Sequence, residues 1–206
     1  LMRHVGSTTE SFKARVNVNP YLHRPWHYHP ESELTIIEEG KGMLFVGDNV
    51  TTYGKNDLIL IGPNLPHEYR SSIKETPDYF SKSMSVHFRN DFPGDDFYKI
   101  PEAKIIHEIL EQSRTGIKFN DALAQEKVKK KMNEIFQSKG IERINLLFSI
   151  LETMASSSEQ EYLSSQSFID SINEGQDQKK NKIYKYIMAN FKEKISIGHL
   201  AAEVNM

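Results

Sequence analysis

The chain has 206 residues, of which 38% are hydrophobic, with a formal net charge of −2 and no cysteine. That length supports one well-formed core with an accessory helical unit. A complete nucleic-acid-binding domain would show a basic excess, and the lack of cysteine excludes disulfides and thiolate metal sites. No apolar stretch approaches the ~20 residues of a membrane span, and no signal-peptide-like segment opens the chain. A cytoplasmic protein without membrane contact is expected.

Residues 1–100 read as strands. Segments rich in β-branched and aromatic residues alternate with turn signals at Glu39-Gly40, Gly47-Asp48-Asn49, Gly54-Lys55-Asn56-Asp57 and Gly62-Pro63-Asn64. Strands are predicted over 12–18, 34–37, 43–46, 50–53, 58–61, 69–73 and 80–88. Their regular spacing, about 8–12 residues, points to a sandwich or barrel rather than to βαβ units.

After Pro101 the apolar period becomes helical. Ala103, Ile106, Ile109 and Leu110 predict a helix that ends near Thr115-Gly116, and Leu123, Val128, Met132, Ile135 and Phe136 predict a second that stops around Gly140. A third helix, 141–155, carries Ile141, Ile144, Phe148, Leu151 and Ala155 along one face. Leu146, Leu147, Ile150 and Met154 widen its apolar arc beyond half the circumference. One neighbour cannot bury such a surface. Either the helix is sandwiched inside its own domain or it pairs with a second copy of the chain. Lys127, Lys129, Lys130 and Lys131 are flanked by Glu126 and Glu134 and read as a solvated face.

Residues 156–178 are rich in Ser, Gln, Asn and Glu and read as a linker, with room for a helical turn around 167–172. Ile183, Ile187 and Phe191 then mark an amphipathic segment. Ser196 follows as an N-cap, with Leu200, Ala201 and Val204 at helical spacing. The expected organisation is a barrel over 1–100, a helical segment over 101–156, a linker over 157–178 and the opening of a further, truncated domain over 179–206.

Four side chains carry the chemistry: His27, His29, Glu33 and His67. Residues two apart in extended chain share a face, so His27 and His29 point the same way. Glu33 keeps that parity, and His67 returns at the end of the strand run. Three imidazoles and a carboxylate can hold Mn, Fe, Ni, Cu or Zn and leave positions open for a substrate. The same groups can instead line a pocket without metal, or hydrogen-bond one another structurally. Trp26, Tyr28, Tyr53 and Tyr69 can stack on a sugar ring or fill the barrel. Arg24 and Arg70 are placed to grip an anionic effector, although surface positions are expected for both. His87 is expected in the core or at a pocket rim rather than as a ligand. No nucleophile elbow, phosphate-binding glycine loop or Cys–His pair is present.

The stretch 26–34 resembles the first cupin motif, with an aromatic, a His-x-His and a Glu-Leu entering a strand. The stretch 54–67 is similar to the second, a Gly-x-x-Asp-Leu strand and a Pro-x-x-Pro-His turn. Residues 86–92 resemble the strand that ends the sensor barrel of AraC-type transcriptional regulators. Residues 183–191 and 195–206 resemble the opening of that family's first helix-turn-helix. Cupins usually carry a Gly shortly before the first His, where this chain runs from Pro20 to Pro25 without one.

The resemblance implies a mainly β fold with C-terminal helices (α+β). A cupin-like double-stranded β-helix, or jelly roll, is followed by an antiparallel helical dimerisation segment and a truncated helix-turn-helix. It implies a ligand-responsive transcription regulator rather than an enzyme. The barrel would bind a small-molecule effector, a sugar or a small organic acid, through His27, His29, Glu33, His67, Trp26, Tyr28 and Tyr69. The helix 141–155 would form a homodimer, and DNA would be read only by elements beyond residue 206. No cofactor is required in that reading, since such sensors often keep the His and Glu positions without metal. The alternative is a metal-dependent cupin enzyme, an oxygenase or isomerase, with a divalent transition metal on His27, His29, Glu33 and His67. A carbohydrate-binding or storage cupin is the third reading; it would lack a DNA-binding extension.

Overall fold

In the computed structural model, residues 10–19, 23–71, 80–94, 96–173 and scattered positions between 182 and 201 are described. Eight strands occupy the first part: β1 (Phe12–Asn19), β2 (His23–His27), β3 (Ser32–Glu39), β4 (Gly42–Val46), β5 (Asn49–Tyr53), β6 (Leu58–Ile61), β7 (His67–Ser71) and β8 (Ser81–Phe88). Then follow α1 (Lys104–Gln112), β9 (Ile117–Phe119), α2 (Ala122–Gln137), α3 (Ile141–Ala155), β10 (Gln160–Tyr162) and α4 (Gln166–Asn173). One sheet runs β1-β8-β3-β6-β9-β10 and the other β2-β7-β4-β5. All of these pairings are antiparallel. The two sheets close on each other as a jelly roll, the expected architecture.

The alternation of side chains along a strand sorts residues between two cores. On β3, Leu34 and Ile36 point outward into a layer built with the helices, while Ile37 points into the barrel. On β6, Leu58 and Leu60 go outward and Ile59 and Ile61 inward. Covered on both faces, these central strands read as nearly continuous apolar runs. The barrel interior is completed from the opposite sheet by Leu44, Val46, Tyr53 and Tyr69.

The helices lie against the outer face of the larger sheet. Asp121 caps α2, its carboxylate accepting from the amides of Leu123 (2.9 Å) and Ala124 (3.1 Å). Gly116, at φ +70°, ends the first helical stretch where the sequence predicts. On α3, Leu147, Ile150, Leu151 and Met154 are fully buried in the layer shared with α1, α2 and the sheet. Phe148 stacks on Phe97 (4.7 Å between centroids) and on Phe92 (5.4 Å). The width of the apolar arc is thus accounted for within one chain, and Ile141 is the large apolar residue that α3 leaves exposed. Lys131 is not on a solvated face. Its ammonium donates to Ser149 O (3.0 Å) and Thr153 Oγ1 (2.8 Å), tying α2 to α3. No helix among the described residues is long and apolar enough to cross a membrane.

The described part of the expected linker is folded. β10 pairs with β9, so the barrel sheet is not confined to residues 1–100. Leu163 N and Ser164 N donate to Gly116 O (2.9 Å) and Thr115 O (2.7 Å). Asp48 accepts from Ser164 Oγ (2.9 Å), Ser165 N (2.9 Å) and Ser165 Oγ (2.5 Å), and Ser165 Oγ in turn accepts from Phe168 N (3.1 Å). These serines therefore start α4 instead of loosening the chain. Leu163, Phe168 and Ile169 then plug the barrel core beside Leu65. The helix-turn-helix opening expected over 179–206 lies outside the described residues, apart from isolated positions.

Gly62 joins the barrel to the helical layer. Its amide donates to Ser113 O (2.8 Å), and a Cβ there would meet that oxygen at 2.5 Å and the carbonyl carbon at 2.7 Å. Backbone on both sides cannot step aside. Gly62→Ala is expected to cost about 1–3 kcal/mol in urea unfolding, whereas Gly54→Ala, which meets nothing within 4 Å, should stay within ~0.5 kcal/mol of the parent.

Candidate metal centre and effector site

The site is built around Glu33. The β3–β8 and β3–β6 registers set it opposite His87 on one side and Ile61 on the other, and its side chain is buried inside the barrel. His27 ends β2 directly across from His67, the first residue of β7. His29 lies just past the strand, in a turn held to the 62–67 turn by the hydrogen bond from Asn64 N to His29 O (2.8 Å). His29 therefore reaches the cluster from a turn rather than by strand parity. One ligand atom from each of His27, His29, Glu33 and His67 lies within 4.8 Å of the others.

Each of these three histidines is tied by Nδ1 to a backbone carbonyl: His27 to Pro25 O (2.8 Å), His29 to Glu31 O (2.9 Å) and His67 to Leu65 O (2.8 Å). A carbonyl only accepts, so Nδ1 carries the proton and Nε2 is left for the centre. Nε2 of His29 and of His67 lie 3.4 Å and 3.5 Å from Glu33 Oε2. A fourth imidazole, His87, donates from Nε2 to that same oxygen at 2.8 Å, and Thr35 Oγ1 donates to Oε1 at 2.9 Å.

The electrostatics follow from this crowding. Burial favours the neutral form of Glu33, but its polar contacts with His29, His67 and His87 outweigh it and hold the carboxyl well below its ordinary range. His27 is pushed down to about 4, by burial first and then by the neighbouring His67. Burial also works against a charge on His29, yet the hydrogen bond and charge of Glu33 prevail and raise it. Burial, then the charge of Glu33, pushes the Tyr69 phenol up.

The residues fit a divalent transition metal. With bare Nε2 lone pairs and a carboxylate facing one point, the cluster is rich in acceptors and gains from a cation among them. Nδ1–H to carbonyl bonds are the outer support that metal-ligating histidines use. Bonds of roughly 2.1 Å place ligand atoms ~3–4.2 Å apart around one ion, so small closing movements from the present spacing suffice. The N3O donor set suits Mn, Fe, Ni, Cu or Zn.

Other expected residues fall elsewhere. Trp26 and Tyr69 are buried, and Tyr69 packs edge-on against Tyr53 (5.6 Å) and His67 (6.4 Å), as barrel filler does. Tyr28 is exposed. Arg70 pairs with Glu68, its Nε 2.7 Å from Oε1. Arg24 crosses between the sheets and donates to Asn17 Oδ1 at 3.1 Å. Thr35 is the member that sequence reasoning missed; His87, expected in the core or at a pocket rim rather than as a ligand, is buried there and bonds Glu33. The legible signal was the alternation Ser83, Ser85, His87 against Met84, Val86, Phe88, which gives β8 a polar inner face. Its register to Glu33 has no trace in one sequence.

A family model described as the cupin domain matches residues 14–77. The fold is a cupin jelly roll followed by helices. Among curated proteins no relative matches the chain. Similar solved structures include the DMSP lyase DddQ from Ruegeria pomeroyi DSS-3, at 23% identity over 39% of each chain and a TM-score of 0.33. ToxT from Vibrio cholerae O395, bound to a methylnaphthalenyl butenoic acid, is similar over 96% of this chain and 72% of its own, with 11% identity and a TM-score of 0.41. The AraC-like transcriptional activator CuxR is similar over 94% and 63%, with 9% identity and a TM-score of 0.42. The chain spans about two-fifths of the length of the lyase.

Tyr69 Oη is sealed from water and makes no hydrogen bond of normal geometry. Removing such a hydroxyl relieves an unsatisfied donor. Tyr69→Phe should therefore leave thermal stability unchanged or raise it by about 1 kcal/mol; a clear loss would mean that the hydroxyl is bonded in solution.

Proposed function

We propose that this chain is the small-molecule-sensing and dimerisation part of a ligand-responsive transcription regulator of AraC type, acting in the cytoplasm. Its effector, a sugar or small organic acid, would be read at His27, His29, Glu33 and His67, with a divalent transition metal held there. The observation that carries the reading is the junction at the barrel end. Leu163, Phe168 and Ile169 pack against Leu65, two residues before His67, and the chain leads on from α4 to the segment whose sequence resembles a helix-turn-helix opening. An effector needs only to bind one arrangement of barrel and α4 better than another. A difference of ~10–100-fold supplies about 1.4–2.8 kcal/mol of coupling. A homodimer through 141–155 would use the exposed side of that helix, where Ile141 lies.

The donor set favours one second reading. Four protein ligands leave positions open on an octahedral ion, which a metal-dependent cupin oxygenase or isomerase would also need. When bound, the metal would act as a Lewis acid or orient a ligand; His27, His29, Glu33 and His67 would hold it.

One pair of measurements separates the two. After metal supplementation and desalting, elemental analysis should find about one equivalent of transition metal, lost in His67→Ala, because truncating a ligand opens the site. In gel shifts, this 206-residue chain should bind DNA no better than background, while a chain extended through the following coding sequence should bind specifically and respond to effector. Metal with turnover and no specific DNA binding by the extended chain would replace the regulator with the enzyme. Tight, sequence-specific binding by the 206 residues alone would refute the assignment of DNA reading to later elements.

A further inference from the structure

We propose that His87 is a positioning residue which, together with Thr35, clamps both oxygens of Glu33 so that the carboxylate meets a bound cation through Oε2 alone. The inference deepens the metal reading of this cluster and rests on it. The β3–β8–β1 registers put Glu33, His87 and Lys13 in one row across three strands, and Thr35, Ser85 and Arg15 in the next. Glu33 and Thr35 are two residues apart on β3, so both point inward. The clamp is thus written into strand pairing and does not depend on a mobile loop.

The distances separate His87 from the other imidazoles. Its Nε2 lies 2.8 Å from Glu33 Oε2, against 3.4 Å for His29 and 3.5 Å for His67. His87 makes the one short bond, and it makes it as a donor, because an ionised carboxylate only accepts. A nitrogen whose proton is given to Glu33 has no lone pair for a cation. Nor does His87 belong to the group whose ligand atoms lie within 4.8 Å of one another. His27, His29 and His67 are tied by Nδ1 to backbone carbonyls; among the described residues His87 has no such tie, and its orientation comes from Glu33 itself.

Thr35 completes the clamp. It is buried, and its hydroxyl gives its one proton to Oε1 at 2.9 Å. A carboxylate has about four acceptor directions. With Thr35 on Oε1 and His87 on Oε2, the direction facing His29 and His67 is the free one on Oε2. Glu33 is thereby held monodentate, and three imidazoles plus one oxygen leave two of six octahedral positions for an effector. Without His87 the carboxylate would turn toward bidentate contact or away from the cluster.

The test uses the 206-residue chain and nickel(II) followed by calorimetry, with copper(II) loaded separately to count ligating nitrogens by electron paramagnetic resonance. His87→Phe and Thr35→Val should each weaken nickel binding about 10–100-fold, and His87→Gln, which keeps an N–H donor, should recover to within about threefold of the parent. The nitrogen count should stay the same throughout. In the metal-free protein, long-range nitrogen–proton NMR should find the proton of His87 on Nε2 and those of His27, His29 and His67 on Nδ1. Unchanged affinity in His87→Phe would overturn the proposal. So would loss of one nitrogen from the count, since His87 would then be a ligand. Thermal melts check folding; if His87→Phe does not fold, the glutamine variant and the parent's NMR decide. Should the parent take up no metal, the metal reading fails, and a proton found on Nδ1 of His87 would bring down the clamp separately.

Discussion

A carboxylate with almost no access to water sits at the centre of this barrel, and the arrangement of imidazoles around it exists to make that burial tolerable. Removing an ion of this size from water costs several kcal/mol even after relaxation. Glu33 offsets the cost with Thr35 on one oxygen and His87 on the other, while His29 and His67 face the second from slightly farther away. Each partner comes from a different part of the chain: the same strand, the last strand of the barrel, the turn after β2 and the start of β7. The cluster therefore forms only when both sheets are in register. A one-residue slip of β8 would turn His87 outward and leave the carboxylate short of its closest donor.

The two-core organisation protects that register. β3 and β6 are buried on both faces, so any slip would exchange residues between the barrel interior and the helical layer. The outward set, Leu34, Ile36, Leu58 and Leu60, packs under α1, α2 and α3, and the inward set, Ile37, Ile59 and Ile61, packs against the opposite sheet. The helices thus do more than decorate a finished barrel. They cover the outer face of the strands that hold Glu33 and His87 in line.

Much of this was legible in the sequence, for reasons that can be stated. The β-branched runs between glycine-rich turns marked six of the eight barrel strands closely, because those turns carry conformations such as φ +56° at Gly47. The tetrad His27, His29, Glu33 and His67 was legible as a spacing. Its tautomers were not, since they depend on carbonyls two residues away folding back onto Nδ1. His87 was legible as a core or rim residue, but its bond to Glu33 was not, because register is a long-range property with no local signature. In 157–173 the helical turn expected at 167–172 is where α4 lies, but the linker reading fell short: the polar composition was real, yet Ser164 and Ser165 are spent on Asp48, and three apolar residues are enough to seat α4. Composition counts polar residues without saying whether their hydrogen bonds go to water or to the fold.

The turn from Gly62 to His67 draws these parts together. Gly62 N bonds Ser113 O in the helical layer, Asn64 N bonds His29 O, and Pro66 O accepts from Gly47 N. Leu65 O holds the Nδ1 of His67, while the Leu65 side chain packs with Phe168 and Ile169 of α4. Gly47 sits so close to Ser164 and Phe168 that no side chain fits there. Six residues thus touch two members of the polar cluster, the helices behind the sheet and the helix that carries the chain onward. The interior is packed too closely to absorb small shifts gradually, so a movement of His67 toward a bound ligand would have to be taken up by this turn. Its nearest outlet is the apolar contact between Leu65 and α4, because Gly62 is pinned by backbone on both sides whereas α4 is held by a few apolar side chains, the Ser165 cap and the bonds of Asp48 to Ser164 and Ser165. A ligand bound at Glu33 would be registered by the rest of the chain at that contact.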